Sequence, residues 1–352
     1  MPGSLWAMRM RRLKIHPDRP IGFYHCLSRV VNRDFVLGDL EKDKFVELMR
    51  EYEAFCGVEV LGYCVLSNHF HILVAVPKRP TEIPPEEELL RRLDTVSGGA
   101  LTAAKARQMF DMYRASKDEA GALAFRQSIW NRFYDVSEFM KLLKQRYTQW
   151  HNRRHNRKGT LWEERFKSVL VDGAGQILAT MAAYIDLNPV RAGIVRDPKD
   201  YRWCSYAEAV AGKKRAKLGI QKIAEALHGP EESLTRCMEL YRMKLAIDGM
   251  EKDGIREDGT QIRLGIKVEA AKEILKANGK LPMSEYLRCR VRYFGDGMVL
   301  GTREFVDGIF RENRERFGPK RQSGARRMRG LETKPDEPEL CVMRDLQVAV
   351  FG

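Results

Sequence analysis

The stretch Ser67-Asn68-His69-Phe70-His71-Ile72-Leu73-Val74 constrains this chain most strongly. In an extended strand side chains alternate faces. His69 and His71 therefore share one face, while Phe70, Ile72 and Val74 share the other. The apolar face calls for a core beneath it. Two imidazoles side by side suit a metal ion, and they equally suit a pair of half-buried, hydrogen-bonded histidines. The stretch alone leaves both open.

The elements around it follow from pattern. Ile21 to Val31 is aromatic and β-branched and predicts a strand. Asp39 to Phe55 carries Leu40, Phe45, Leu48, Met49, Tyr52 and Phe55 near helical spacing, with Gly57 as a stop. Val58 to Leu66 predicts a second strand feeding the His strand. Pro77 to Glu88 has four prolines and predicts a loop. It opens an insertion, about 77–126, that is polar and helix-prone and bears no evident chemistry. Val136 to His155 predicts a long amphipathic helix with Phe139, Leu142, Leu143, Tyr147 and Trp150 as its stripe. Arg165 to Val171 predicts a fourth strand, and Gln176 to Leu187 a helix ended by Pro189. Tyr184 and Asn188 lie one turn apart there. By spacing alone, Tyr147 and His151 make an equal pair on the earlier helix.

Beyond a linker at 212–217, helices are expected over 218–227, 231–245, 267–277, 283–293 and 302–317. Pro319 to Gly330 holds Lys320, Arg321, Arg326, Arg327 and Arg329 without an acid and reads as a flexible basic arm.

Charge narrows the partner. The net charge of +14 over 352 residues favours a polyanion, most simply nucleic acid. Lys141 to Lys167 holds nine Lys/Arg and two Glu, with aromatic rings interleaved. Cations beside flat rings suit a single strand, phosphates pairing with charge and bases stacking on rings; a solvated helix end with a core Trp has the same composition. The residues expected to meet DNA are Arg146, Arg153, Arg154, Arg157, Lys158, Trp162, Arg165 and Lys167. No run of eighteen apolar residues predicts a membrane span. Residues 1–12 do not read as a signal peptide. Seven scattered cysteines without a C-x-x-C point to reduced thiols, hence a cytoplasmic setting.

In order along the chain stand SNHFHILV (67–74), GTLWEERFKSVLV (159–171), YIDLNPVRAGIV (184–195) and DYRWCSY (200–206). This order resembles the single-tyrosine HUH transposases, and among them the REP-associated tyrosine transposases of bacteria. The resemblance spans about residues 20–210; FGDGMVLGTREFV (294–306) resembles an extension of longer members. The resemblance implies an α+β fold, a ferredoxin-like antiparallel sheet with packed helices, followed here by a mainly helical C-terminal region. Together with the helices expected beyond the linker, this divides the chain into a catalytic domain at 1–211, a helical accessory, DNA-binding region at 218–330 and a tail at 331–352. The insertion is longer than the compact family core carries.

What the resemblance implies chemically is specific. His69, His71 and Asn188 would hold a divalent metal, Mg2+ or Mn2+, and Tyr184 would attack a DNA phosphate to give a 5′-phosphotyrosine link. The family pattern, not spacing, selects Tyr184 over Tyr147. His25, His155 and His228 read as surface or structural, and Asp186 has no assigned role. The expected partner is single-stranded or hairpin DNA, with no membrane, in a nucleoid-associated bacterial protein acting as monomer or homodimer. Two competing functions remain: an idle, domesticated hairpin-binding protein, which would keep the fold without turnover, and a metal-dependent RNA-binding or hydrolytic enzyme, which leaves the tyrosine motif unexplained.

Overall fold

A computed structural model describes residues 12–98, 101–230, 232–248, 252–255, 261–264, 274, 280–288, 292–332 and 339–344. The fold is α+β. Four strands form its centre: β1 (Ile21–Arg29), β2 (Glu59–Val65), β3 (His69–Pro77) and β4 (Lys167–Val171). They lie in the order β2-β3-β1-β4, and each neighbouring pair is antiparallel. With α1 (Asp39–Cys56) between β1 and β2, and α5 (Val136–Arg154) before β4, this is the expected ferredoxin-like arrangement.

Alternation puts a separate core on each face. Phe70, Ile72 and Val74 pack with Phe45, Leu48 and Met49 of α1 and Phe139, Leu143 and Tyr147 of α5. The other face sets Leu73, Ala75, Val169 and Val171 against α6 (Gly175–Asp186) and α9 (Lys214–His228). Both faces are covered, so the histidine face is an interior surface rather than an open one. α6 comes very near α9: a Cβ at Gly175 would stand 1.9 Å from the Ala226 carbonyl oxygen. Only glycine permits that approach.

The insertion folds as α2 (Glu86–Leu93), α3 (Ala103–Ser116) and α4 (Glu119–Trp130). Leu89, Leu93, Ala106 and Phe110 join the α1/α5 core. The insertion thus enlarges the face away from the histidines.

The C-terminal region is largely helical in its first part, with α10 (Leu234–Asp248) beside α9. The expected linker is shorter than composition implied, since α9 already begins at Lys214. The helix expected over 267–277 falls almost wholly outside the described residues. Over the stretch expected as a helix from Met283 the described residues form α11 (Met283–Arg288) and α12 (Arg292–Asp296), with 289–291 outside the described residues. Three short strands then extend the sheet beyond β4: β7 (Val299–Gly301), parallel to β4, then β9 (Cys341–Val342), then β8 (Arg326–Arg327). A separate hairpin, β5 (Lys252–Ile255) with β6 (Gln261–Leu264), stands apart from this sheet. The arm expected to be flexible is therefore folded. Arg321 donates to the carbonyls of Ser323, Gly324 and Met343, and its guanidinium lies over Phe317.

Candidate functional site

The site grows from the pairing of β1 with β3, which sets Leu27 opposite His71 and Arg29 opposite His69. His25, one step along the same face of β1, is fully buried and reaches His71: its Nε2 lies 2.8 Å from His71 Nδ1. Its Nδ1 lies 2.7 Å from the Phe294 carbonyl oxygen. A carbonyl only accepts, so His25 Nδ1 carries the proton. Burial pushes the His25 pKa down to about 4, which keeps the ring neutral. Its Nε2 is then the acceptor, and His71 donates from Nδ1. In a neutral His71 the lone pair is left at Nε2.

His69 follows the same logic. Its Nδ1 is 2.6 Å from Asn68 Oδ1, and the Asn68 amide is oriented by Nδ2 donating to the Arg33 carbonyl at 3.0 Å. His69 therefore donates from Nδ1 and, when neutral, keeps its lone pair at Nε2. Orientation of an imidazole through its other nitrogen is the arrangement metal-binding histidines use. The rings of His69 and His71 lie 5.2 Å apart and nearly perpendicular.

Tyr184 reaches this face from α6. Its ring meets His25 and His71 edge-on, each at 6.1 Å between centroids. Phe294 stacks on one side of it at 4.6 Å, and the Arg191 guanidinium lies 4.2 Å from its centroid. Arg191 also donates to the Tyr184 and Leu287 carbonyls. The phenol is 4% exposed. Asn188 opens the short helix α7 (Asn188–Arg191). Its Nδ2 donates back to the carbonyls of Tyr184 and Ile185 at 3.2 and 3.0 Å, satisfying the end of α6. Both partners are carbonyls, so the amide oxygen points away from them.

Among the described residues no group of three or more His, Cys, Asp and Glu side chains is disposed to hold a metal ion. Two imidazoles and an amide oxygen are a different set. Imidazole nitrogens and an amide oxygen are donor types a divalent ion accepts, and the Nδ1 atom of each histidine is engaged by a neighbour.

The rival tyrosine lies on the other side of the sheet. Tyr147 is fully buried, its hydroxyl donates to the Glu41 carbonyl at 3.0 Å, and burial raises its pKa far above the usual phenol range. His151 is buried beside it, with the His155 ring tilted against it at 4.4 Å and bonded to Glu41. Asp186, given no role from the sequence, is a structural acceptor: it accepts from Ser205 Oγ, the Tyr206 amide and Tyr241 Oη, joining α6 to α8 (Ser205–Val210) and α10. Burial raises its pKa to about 6.

The basic residues divide. Arg153, Arg154 and Lys158 are exposed at and beyond the end of α5. Their loop returns along the His69 end of the sheet, where Val30 bridges Trp162. Arg154 lies 3.5 Å from Glu41, and Arg157 is half-buried. Arg146 folds onto the insertion, donating to the Ser97 carbonyl. Trp162 is 6% exposed, packs on Phe45 and Phe70, and its indole N–H points to the Lys144 carbonyl. A ring in that position turns its faces to the core rather than to solvent. Arg165 and Lys167 lie elsewhere, on the wall of a cleft at the start of β4.

Sequence reasoning missed His25, Phe294 and Arg191. His25 stood in a predicted strand with no histidine at paired spacing, and only strand pairing brings it to His71.

No protein-family model matches the chain, and no curated protein matches it. Among the solved structures that match is one described as the structure of the REP-associated tyrosine transposase bound to a REP hairpin. The identity is 15% and the TM-score 0.37, over 58% of this chain and 85% of that one. No helix among the described residues is long and apolar enough to cross a membrane.

Proposed function

We propose that the chain cleaves and rejoins single-stranded DNA through Tyr184, with His69, His71 and Asn188 holding a divalent ion, Mg2+ or Mn2+. The observation that carries this reading is the meeting of the Tyr184 ring with His71 on one sheet face. A bound ion would act there as a Lewis acid on the scissile phosphate. Tyr184 Oη attacks phosphorus and its proton passes to solvent. The bond from phosphorus to the 3′ oxygen breaks, and that oxygen takes up a proton. A 5′-phosphotyrosine and a free 3′-OH result, and attack by a 3′-OH reverses the step without loss of the phosphodiester. Phe294 and Arg191 hold the phenol in one orientation. Hairpin DNA of REP type is the substrate the sequence resemblance points to.

A second reading is a binding protein that no longer turns over. The 4% exposure of Tyr184 beneath Phe294 favours it, because a nucleophile must reach its phosphate. Labelled hairpin DNA with single-stranded flanks, incubated with Mg2+ or Mn2+ and then with chelator, separates the two. Cleavage with a free 3′-OH that chelator abolishes is expected. Binding without cleavage over a range of hairpins and both metals establishes the second reading.

A further inference from the structure

The central sheet splits at its β4 edge. β4 pairs with β1 from Lys167 to Val171, but with β7 only at Leu170 and Val171. Across from the first half of β4 runs the segment 295–298 instead, and an open cleft of about 1710 Å3 lies there. Its other walls are the N-terminal segment 12–17 and the folded arm with its strand partner, including Lys320, Arg326 and Arg344.

The lining is strongly cationic, with nine Lys/Arg against three Asp/Glu. The acids are largely spent. Asp296 is bound by Lys167 and Arg292, and Glu312 by Arg19. Arg165, Lys320, Arg326 and Arg344 are exposed and form no salt bridge among the described residues, where Arg326 and Arg344 bond neutral oxygens. Four uncompensated cations around one groove repel one another and draw in a polyanion. The volume exceeds the roughly 300–1,000 Å3 usual for small ligands. The cations are also held in place, because Arg321 ties the arm down and Arg326 lies in β8. Less ordering is then required on binding. The cleft opens beside the proposed site: Phe294 stacks on Tyr184, and the next four residues line the cleft.

We propose that this cleft is a track for a nucleic-acid phosphate backbone, built by the C-terminal region and distinct from the histidine–tyrosine site. It rests on the reading above only in taking the polyanion to be nucleic acid. Such a track reads charge rather than sequence.

The test is fluorescence anisotropy of a labelled single-stranded oligonucleotide on the full chain in EDTA, where no strand is cut, over a salt series. For single strands the slope of log K against log salt changes by about 0.7 per phosphate contact. The variant Lys320→Gln/Arg326→Gln/Arg344→Gln is expected to flatten the slope by about 2 and to weaken binding on the order of tenfold at physiological salt. Arg165→Gln changes an exposed side chain on the opposite wall, so its folding is not at stake. It should flatten the slope by about 0.7. Wild-type slopes in both variants overturn the track and leave the Tyr184 assignment untouched. Poly-glutamate competing as well as the oligonucleotide at equal charge also overturns it, in favour of an acidic protein partner. A chain that cuts no DNA leaves this result standing, because no cleavage enters it.

Discussion

His25 Nε2 lies 2.8 Å from His71 Nδ1, and the far nitrogen of His25 is held by the Phe294 carbonyl. Donation in this relay runs one way, from His71 through His25 to the Phe294 carbonyl. A residue without contact to substrate thereby chooses the nitrogen that His71 presents. His25→Ala removes the acceptor that sets the His71 tautomer. It should weaken Mn2+ binding, read by calorimetry, by about 10–100-fold. His25→Gln keeps an oxygen acceptor and should recover part of that loss. DNA affinity in EDTA should not move. Equal Mn2+ affinity in wild type and His25→Ala would remove the relay from the account.

Asp186 makes a stability prediction. It is the shared acceptor for Ser205, Tyr206 and Tyr241 at the junction of α6 with α8 and α10. Asp186→Ala leaves these buried donors unpaired, each costing about 1–3 kcal/mol. Urea unfolding should show a loss of several kcal/mol. Asp186→Asn retains one acceptor oxygen and should lose less. If Ala and Asn cost the same, the three hydrogen bonds do not hold the junction.

Phe294 stacks on Tyr184 at 4.6 Å. Phe294→Leu keeps apolar volume and removes the stack. If the stack orients the phenol, adduct formation should slow by about tenfold or more while DNA affinity holds, since small misplacements of a reacting group cost heavily. A faster adduct would show instead that Phe294 shields the nucleophile.

Much of this arrangement was legible in the residues, and the illegible parts share a cause. His69 and His71 share a face because a strand has period two, and Phe70, Ile72 and Val74 name their own core. The placing of Tyr184 came from the YIDLNP stretch, since spacing alone left Tyr147 equal; the hydrogen bond of Tyr147 to Glu41 then accounts for it as packing. His25 was hidden because its partner is 46 positions away and only the β1–β3 register brings them together. β7 and β9 have three and two residues, too few for alternation to show. The arm at 319–330 read as flexible from composition, yet the carbonyls that fix Arg321 belong to an unremarkable backbone. Trp162 sat among cations in sequence while its ring turned into the core, which composition cannot distinguish.

The central claim is that Tyr184 is the nucleophile, and one measurement addresses it directly. Wild type, Tyr184→Phe, Tyr147→Phe and His69→Ala/His71→Ala are incubated with labelled hairpin DNA and Mn2+, denatured, and any DNA-linked peptide is mapped. The account predicts a covalent adduct on the peptide bearing Tyr184 in wild type and in Tyr147→Phe. It predicts none in Tyr184→Phe, which should still bind the DNA, and none in the double histidine variant. An adduct that persists in Tyr184→Phe, or that maps to Tyr147, would contradict it.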